Sequence, residues 1–300
     1  MKYSYKTVMP HLALLAVALI YGANYTIAKE LLVAQFISPN GLVLFRVLIA
    51  AMMFLLIHVF FVKERIDRKD WLLLASCSLF GVVINQIFFI AGLKYTTPIN
   101  AAVLMVTTPI LVLVISAMFY REKLNLIKSV GIVLGAGGTL MLLMNKGSFS
   151  FSGNLKGDIF IIINAISYAM YLVMIKPLMH KYSPFTIMKW IFIFGLIPVI
   201  PIGVEDAITA QWASFTPGMW LAFFYVLIFT TVFAYWLNAI ALKMVEPATV
   251  GVYIYLQPVM ATTIALLAGK DSLTIEKLIP GLMIIAGVYL VSFRKKTRTV

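Results

Sequence analysis

The sequence predicts an all-α integral membrane protein. Ten transmembrane helices are expected, as two inverted five-helix repeats around a central cavity. Three observations predict this. First, 62% of the 300 residues are hydrophobic, 12% are charged, and the mean hydropathy is +1.00. A soluble domain runs nearer ~45–50% apolar and about 25% charged, and a sphere of this size cannot hide so much apolar surface from water. Second, the chain divides into ten apolar runs near the ~20 residues that a membrane span needs. Third, it resembles itself at an offset of 149 residues.

The runs follow in order at 11–29, 40–62, 71–93, 98–120, 127–144, 158–176, 185–203, 218–242, 247–268 and 278–293. Charged or turn-forming stretches separate them, among them Lys63–Asp70, Arg121–Lys128, Asn145–Gly157 and Lys176–Pro184. Basic residues precede the first run as in a signal peptide. That run continues into Tyr21–Lys29 and has an internal counterpart, so it reads as an uncleaved span. With the N-terminus inside, seventeen Lys and Arg fall in inner segments and six in outer ones, while Arg46 lies within a span. Basic residues accumulate in short cytoplasmic loops. The excess of 24 basic over 11 acidic residues therefore reads as orientation, with both termini cytoplasmic, and not as a nucleic-acid footprint. The setting it implies is the bacterial cytoplasmic (inner) membrane.

The offset of 149 aligns Trp71 with Trp220, Phe80 with Phe229, Pro98 with Pro247, Pro109 with Pro258, Lys128 with Lys277 and Gly138 with Gly287. Glu122 meets Asp271, each thirteen residues after the second proline of its half. An offset of 147 brings Tyr21 onto Tyr168 and Lys29 onto Lys176. The unit, residues 1–148 and then 149–300, holds five spans. An odd number places the second copy upside down, and inverted repeats of this kind are a transporter architecture.

Several stretches together are similar to a known family. They are Tyr21-Gly22-Ala23-Asn24-Tyr25, Pro39 with Arg46, Thr96–Pro98 with Thr108-Pro109, Arg121-Glu122-Lys123-Leu124 and the Gly131–Gly138 helix. Glu246-Pro247 through Gln257-Pro258, then Asp271, Leu273 and Gly287, looks like a second copy. The chain resembles the EamA-like branch of the drug/metabolite transporter superfamily over nearly its whole length. Asp271 departs from the glutamate usual there. The resemblance implies two five-helix bundles, a central cavity, and export or exchange of small metabolites such as amino acids. Multidrug efflux is the close variant.

Within the spans, polar residues mark candidate cavity positions. Span one carries Tyr21, Asn24 and Tyr25, and span three Asn85 and Gln86. Span six carries Asn164, Ser167, Tyr168 and Tyr171, and span eight Tyr235, Trp236 and Asn238. Thr107, Thr108, Tyr255 and Gln257 flank the second prolines. An amide without a partner in hydrocarbon is costly, so these groups should face the bundle interior, bonding either to other helices or to a substrate. Pro98 and Pro247 suit helix starts. Pro109 and Pro258 lie about 16 Å further along, near the midplane, and free the carbonyls of Met105 and Ile254. They are either packing kinks or hinges of a cavity.

Arg46 is the one strong charge well inside a span. It pairs either with Glu30, at the end of span one, or with an anionic substrate group. Lys29 and Lys176 are expected to snorkel to the interface. Glu122 and Asp271 suit caps of the following helices. All eleven acids lie in loops or at span ends, where they are poorly placed for a proton relay; facilitated diffusion or exchange follows. His58 either packs or titrates near the inner end of span two.

Cys77 stands alone, which excludes an internal disulfide, and His11, His58 and His180 show no metal-ligand spacing. No catalytic constellation, metal or cofactor is expected. The expected partners are a small-molecule substrate and the lipid bilayer, for a monomer or homodimer. A sensor or accessory subunit is the competing class, although the longest loops are about 10–15 residues where such proteins more often carry a soluble domain.

Overall fold

The structure, a computed structural model, describes residues 5–120, 126–144, 155–267 and 274–292. Glu122 and Asp271 lie outside them. The described residues form ten helical stretches. The first half contains α1 (Tyr5–Val33), α2 (Pro39–Phe61), α3 (71–95), α4 (Pro98–Tyr120) and α5 (Leu126–Met144). The second contains α6 (Leu155–Lys181), α7 (Pro184–Ile208), α8 (Pro217–Met244), α9 (247–267) and α10 (Ile275–Ser292). Among the described residues, nine helices are long and apolar enough to cross a membrane.

Helix α9, at the ninth of the expected runs, is divided within its length. A 3₁₀ turn at Tyr253–Tyr255 divides it into Pro247–Val252 and Leu256–Leu267. Helix α4 breaks at the equivalent place, between Pro98–Met105 and Thr107–Tyr120. Each break lies just ahead of a midplane proline, Pro109 or Pro258, where the missing N–H removes a backbone bond. The Tyr255 hydroxyl joins the two breaks, donating to the Val106 carbonyl at 3.2 Å.

Helix starts follow from local chemistry. Five helices begin on proline, at Pro39, Pro98, Pro184, Pro217 and Pro247. The fixed φ suits the first helical position, and the missing N–H costs nothing there. Ser38, Thr97 and Thr216 precede three of these prolines, and their hydroxyls accept from the backbone N–H of Gly41, Asn100 and Met219.

Packing follows the repeat. Helix α2 lies along α7, and α5 along α10; α1 packs on α8, and α3 on α6. Helices α5 and α10 meet through glycine. A Cβ on Gly287 would stand 2.6 Å from the Gly131 carbonyl oxygen, so only a bare backbone fits. Outward faces carry apolar side chains such as Phe61, Leu72, Leu126 and Leu221. At the ends predicted to be inner, Asp70 accepts from Lys181 at 2.9 Å and from the Tyr182 hydroxyl at 2.7 Å. The Glu64 carboxylate accepts from the Ser183 N–H at 2.8 Å.

Lys29 and Lys176, expected to snorkel to the interface, each bind backbone carbonyls at a helix end. Lys29 Nζ donates to the carbonyls of Leu93, Lys94 and Thr96, at 2.8, 2.9 and 3.0 Å. Lys176 Nζ donates to those of Leu242 and Val245, at 2.6 and 2.8 Å. Each cation closes the C-terminal end of a neighbouring helix, α3 or α8, where carbonyls lack intrahelical partners.

Two π-helical segments, which the sequence reading does not anticipate, complete the frame. They are Leu79–Ile84 in α3 and Tyr225–Phe233 in α8.

Candidate functional site

A cavity lies where the two halves meet, walled chiefly by α1, α3, α6, α8 and α9. Helix α1 contributes Leu14, Val17, Ala18, Tyr21, Asn24 and Tyr25, spaced by one helical turn so that they share a face. Helix α2 adds Arg46, and α3 adds Asn85, Gln86 and Phe89. Met105 comes from α4, Asn164 and Tyr168 from α6, and Tyr235 and Asn238 from α8. Val250, Tyr253, Ile254 and Gln257 come from α9.

The π segment of α3 organises the polar wall. A π turn shifts the backbone ladder by one residue and frees carbonyls for other donors. Three carbonyls in and beside this segment have side-chain donors from the second half. Ser167 Oγ reaches Phe80 at 2.5 Å, the Tyr235 hydroxyl reaches Gly81 at 2.7 Å, and Asn164 Nδ2 reaches Asn85 at 2.8 Å. Gln86 and Tyr235, which the 149-residue offset aligns, face each other with Nε2 3.5 Å from the phenol oxygen. In α8, Thr231 Oγ1 donates to the Val226 carbonyl and accepts from Arg46 Nε at 2.9 Å.

Four buried polar atoms of the lining are left without hydrogen-bond partners: Asn24 Oδ1, Gln86 Oε1, Asn164 Oδ1 and Arg46 Nη1. Buried polar groups are nearly always paired in folded proteins. All four belong to residues that wall one concavity, which concentrates unpaired polarity there.

The alternative partners expected for Arg46 separate here. Arg46 is 3% exposed and lines the cavity, whereas Glu30 is exposed, and no ion pair joins them. The inward-facing side of α2 and the lipid- or water-facing side of α1 keep the two charges apart. The lining among the described residues contains no Asp or Glu.

Four other residues expected at the cavity lie behind its wall. Tyr171 is buried beneath Tyr168, ring centroids 6.0 Å apart, and occupies the space that a side chain at Gly81 would fill. Trp236 stacks on Phe185 at 5.5 Å. Tyr255 bridges to Val106, and Thr108 faces Met105 Sδ at 3.9 Å. For Tyr171, Trp236 and Tyr255 a contact with another helix holds the ring or hydroxyl within the packing, and for Thr108 a contact within α4 does so.

The lining residues that polarity misses are mostly apolar: Leu14, Val17, Ala18, Phe89, Met105, Val250 and Ile254. Tyr253 is missed too, and its hydroxyl lies 2.8 Å from His11 Nδ1. Helical spacing from the polar positions would have found most of them. Leu14, Val17 and Ala18 lie one or two turns before Tyr21, and Phe89 one turn after Asn85.

Residues 8–144 and 155–293 each match the EamA-like transporter family. The chain belongs to the EamA-like transporter family. An uncharacterized transporter of Archaeoglobus fulgidus is 29% identical over 95% of this chain and 98% of its own. The uncharacterized transporter YyaM of Bacillus subtilis is 25% identical over 94% and 93%. A solved crystal structure of 19% identity matches with a TM-score of 0.73 over 95% of each chain, a likeness of fold alone. This EamA-like protein is thus a multi-pass membrane transporter whose two family matches meet at the cavity.

Proposed function

We propose that the chain spans the membrane ten times, as inverted repeats of residues 1–148 and 149–300, and moves small organic metabolites by alternating access. The observation that carries this reading is the polar cavity between the halves, with its unpartnered amide and guanidinium atoms. Amino acids or related amphipathic compounds are the proposed cargo. Tyr21, Tyr25, Tyr168 and Tyr235 offer aromatic faces, and Asn24, Asn85, Gln86, Asn164 and Gln257 offer donors and acceptors. Pockets with an apolar or aromatic body and a few placed polar groups suit such molecules. Thr108, Tyr171, Trp236 and Tyr255 support the wall from behind.

Pro109 and Pro258 are the proposed hinges, since α4 and α9 both break beside them. Rocking of one half against the other about these breaks would expose the cavity to alternate sides. The orientation follows the basic residues, with both termini in the cytoplasm of a bacterial cell and the chain in its inner membrane. The absence of an acid from the described lining favours facilitated diffusion or exchange over proton coupling.

Purified protein in liposomes tests the reading. Counterflow of labelled amino acids, nucleosides and sugar phosphates should reveal a subset carried above the rate of protein-free vesicles. Uptake that persists when the pH gradient is collapsed at constant voltage is expected. Binding without flux of any of them would instead favour a sensor.

A further inference from the structure

Arg46 stands out from the rest of the cavity because no acid among the described residues balances its charge. It is 97% buried, and its only hydrogen bond among the described residues runs from Nε to a neutral hydroxyl, Thr231 Oγ1, at 2.9 Å. Nη1 is buried without a partner. Tyr21 and Tyr235 are within its electrostatic reach, and both are neutral phenols at ordinary pH. A buried guanidinium remains charged, and away from bulk water it needs an anion. The repeat does not supply one, since the 147-residue offset aligns Arg46 with Ile193.

Resting on the transport reading above, we infer that the ligand itself brings the counter-charge: it carries a carboxylate or phosphate group that pairs with Nη1 of Arg46. With Nε held by Thr231, the guanidinium plane is fixed and its remaining donors are free for the planar two-point pairing that Arg makes with such anions. The other orphans complete the description. Asn164 Nδ2 is bound to the Asn85 carbonyl, so Asn164 Oδ1 is the free end of that amide. Gln86 Oε1 and Asn24 Oδ1 are acceptors in the same state. Three acceptors and one cation select a molecule with an anionic group and separate N–H or O–H donors. They select against a cation, which would meet Arg46 with no acid to offset the repulsion.

Ligand-induced thermal stabilisation of the purified protein tests this with four probes of similar apolar body. They are L-phenylalanine, 3-phenylpropanoate, phenyl phosphate and the neutral 3-phenylpropanamide. At least one anion should raise the melting temperature and the amide should not, with the carboxylate and phosphate arms telling which anion is preferred. Arg46→Gln should weaken the stabilising anion at least about tenfold, and Arg46→Lys should retain part of the effect. The acid–amide comparison in the wild type stands even if a variant fails to fold. Equal stabilisation by amide and acid, or none by any of the three probes that carry an anionic group (zwitterionic L-phenylalanine among them), overturns the inference. Flux of the same probes in liposomes separates it from the transport reading. Anion binding without flux would overturn transport and leave the anchor, whereas flux of the amide equal to that of the acids would do the reverse.

Discussion

Ser167, Asn164 and Tyr235 show what a polar side chain does when it is buried in a helix bundle. Each donates to a carbonyl of α3, and for Ser167 and Asn164 that is the side-chain bond that offsets burial. Ser167→Ala should therefore leave the Phe80 carbonyl unsatisfied and cost about 1–2 kcal/mol, read as a lower thermal midpoint in detergent. Substitution at an exposed, lipid-facing position such as Leu221 should leave the midpoint nearly unchanged. Polarity in the sequence was a good guide to which residues turn inward, because an amide cannot face hydrocarbon. It was a poor guide to which inward residues reach the cavity. Tyr168 and Tyr171 are one turn apart and do meet, as their spacing implies, yet only Tyr168 lines the cavity. Helical spacing gives adjacency, while the glycine that admits the Tyr171 ring, Gly81, sits on another helix.

At the scale of elements, the ends of helices were the most legible feature. A Ser or Thr followed by proline marks the starts of α2, α4, α7 and α8, and the charged gaps between runs mark the turns. The lysines at the other ends were legible as a matched pair but not in role. A lysine four methylenes long can reach either the interface or a neighbouring carbonyl cluster, and only the packing of α1 on α3 and α6 on α8 decides. Lys29→Met and Lys176→Met should each cost about 1–2 kcal/mol. The double variant should lose the sum, because the two caps share no partner. Thermal midpoints of the two single variants and the double check this, and a double no worse than either single would contradict it. The π segments had no sequence signal, since no residue type marks an inserted ladder step.

For the molecule as a whole, composition and the excess of basic residues carried the membrane reading, and the duplicated prolines carried the division into halves. The pairing of α2 with α7 and of α5 with α10 followed only from the folded chain, as sequence repeats do not say which copies touch. The orientation is testable without knowing the cargo. In a Cys77→Ala background, a cysteine at Lys69 should react with an impermeant thiol reagent only from the cytoplasmic side. One at Ser214 should react only from the opposite side. Labelling of both from one side would contradict the odd number of spans per half.

The two π segments also carry a history. Shifted by 149 residues, Leu79–Ile84 falls inside Tyr225–Phe233, in the third helix of each family match. An extra residue in a helix displaces every contact beyond it, so two independent insertions at one place would each have had to be accommodated by a finished bundle. A single insertion in an ancestral five-helix chain, before its gene was copied and fused, accounts for both. On that account the irregular helix is older than the second half of the protein, and so is the shape it gives to the cavity wall.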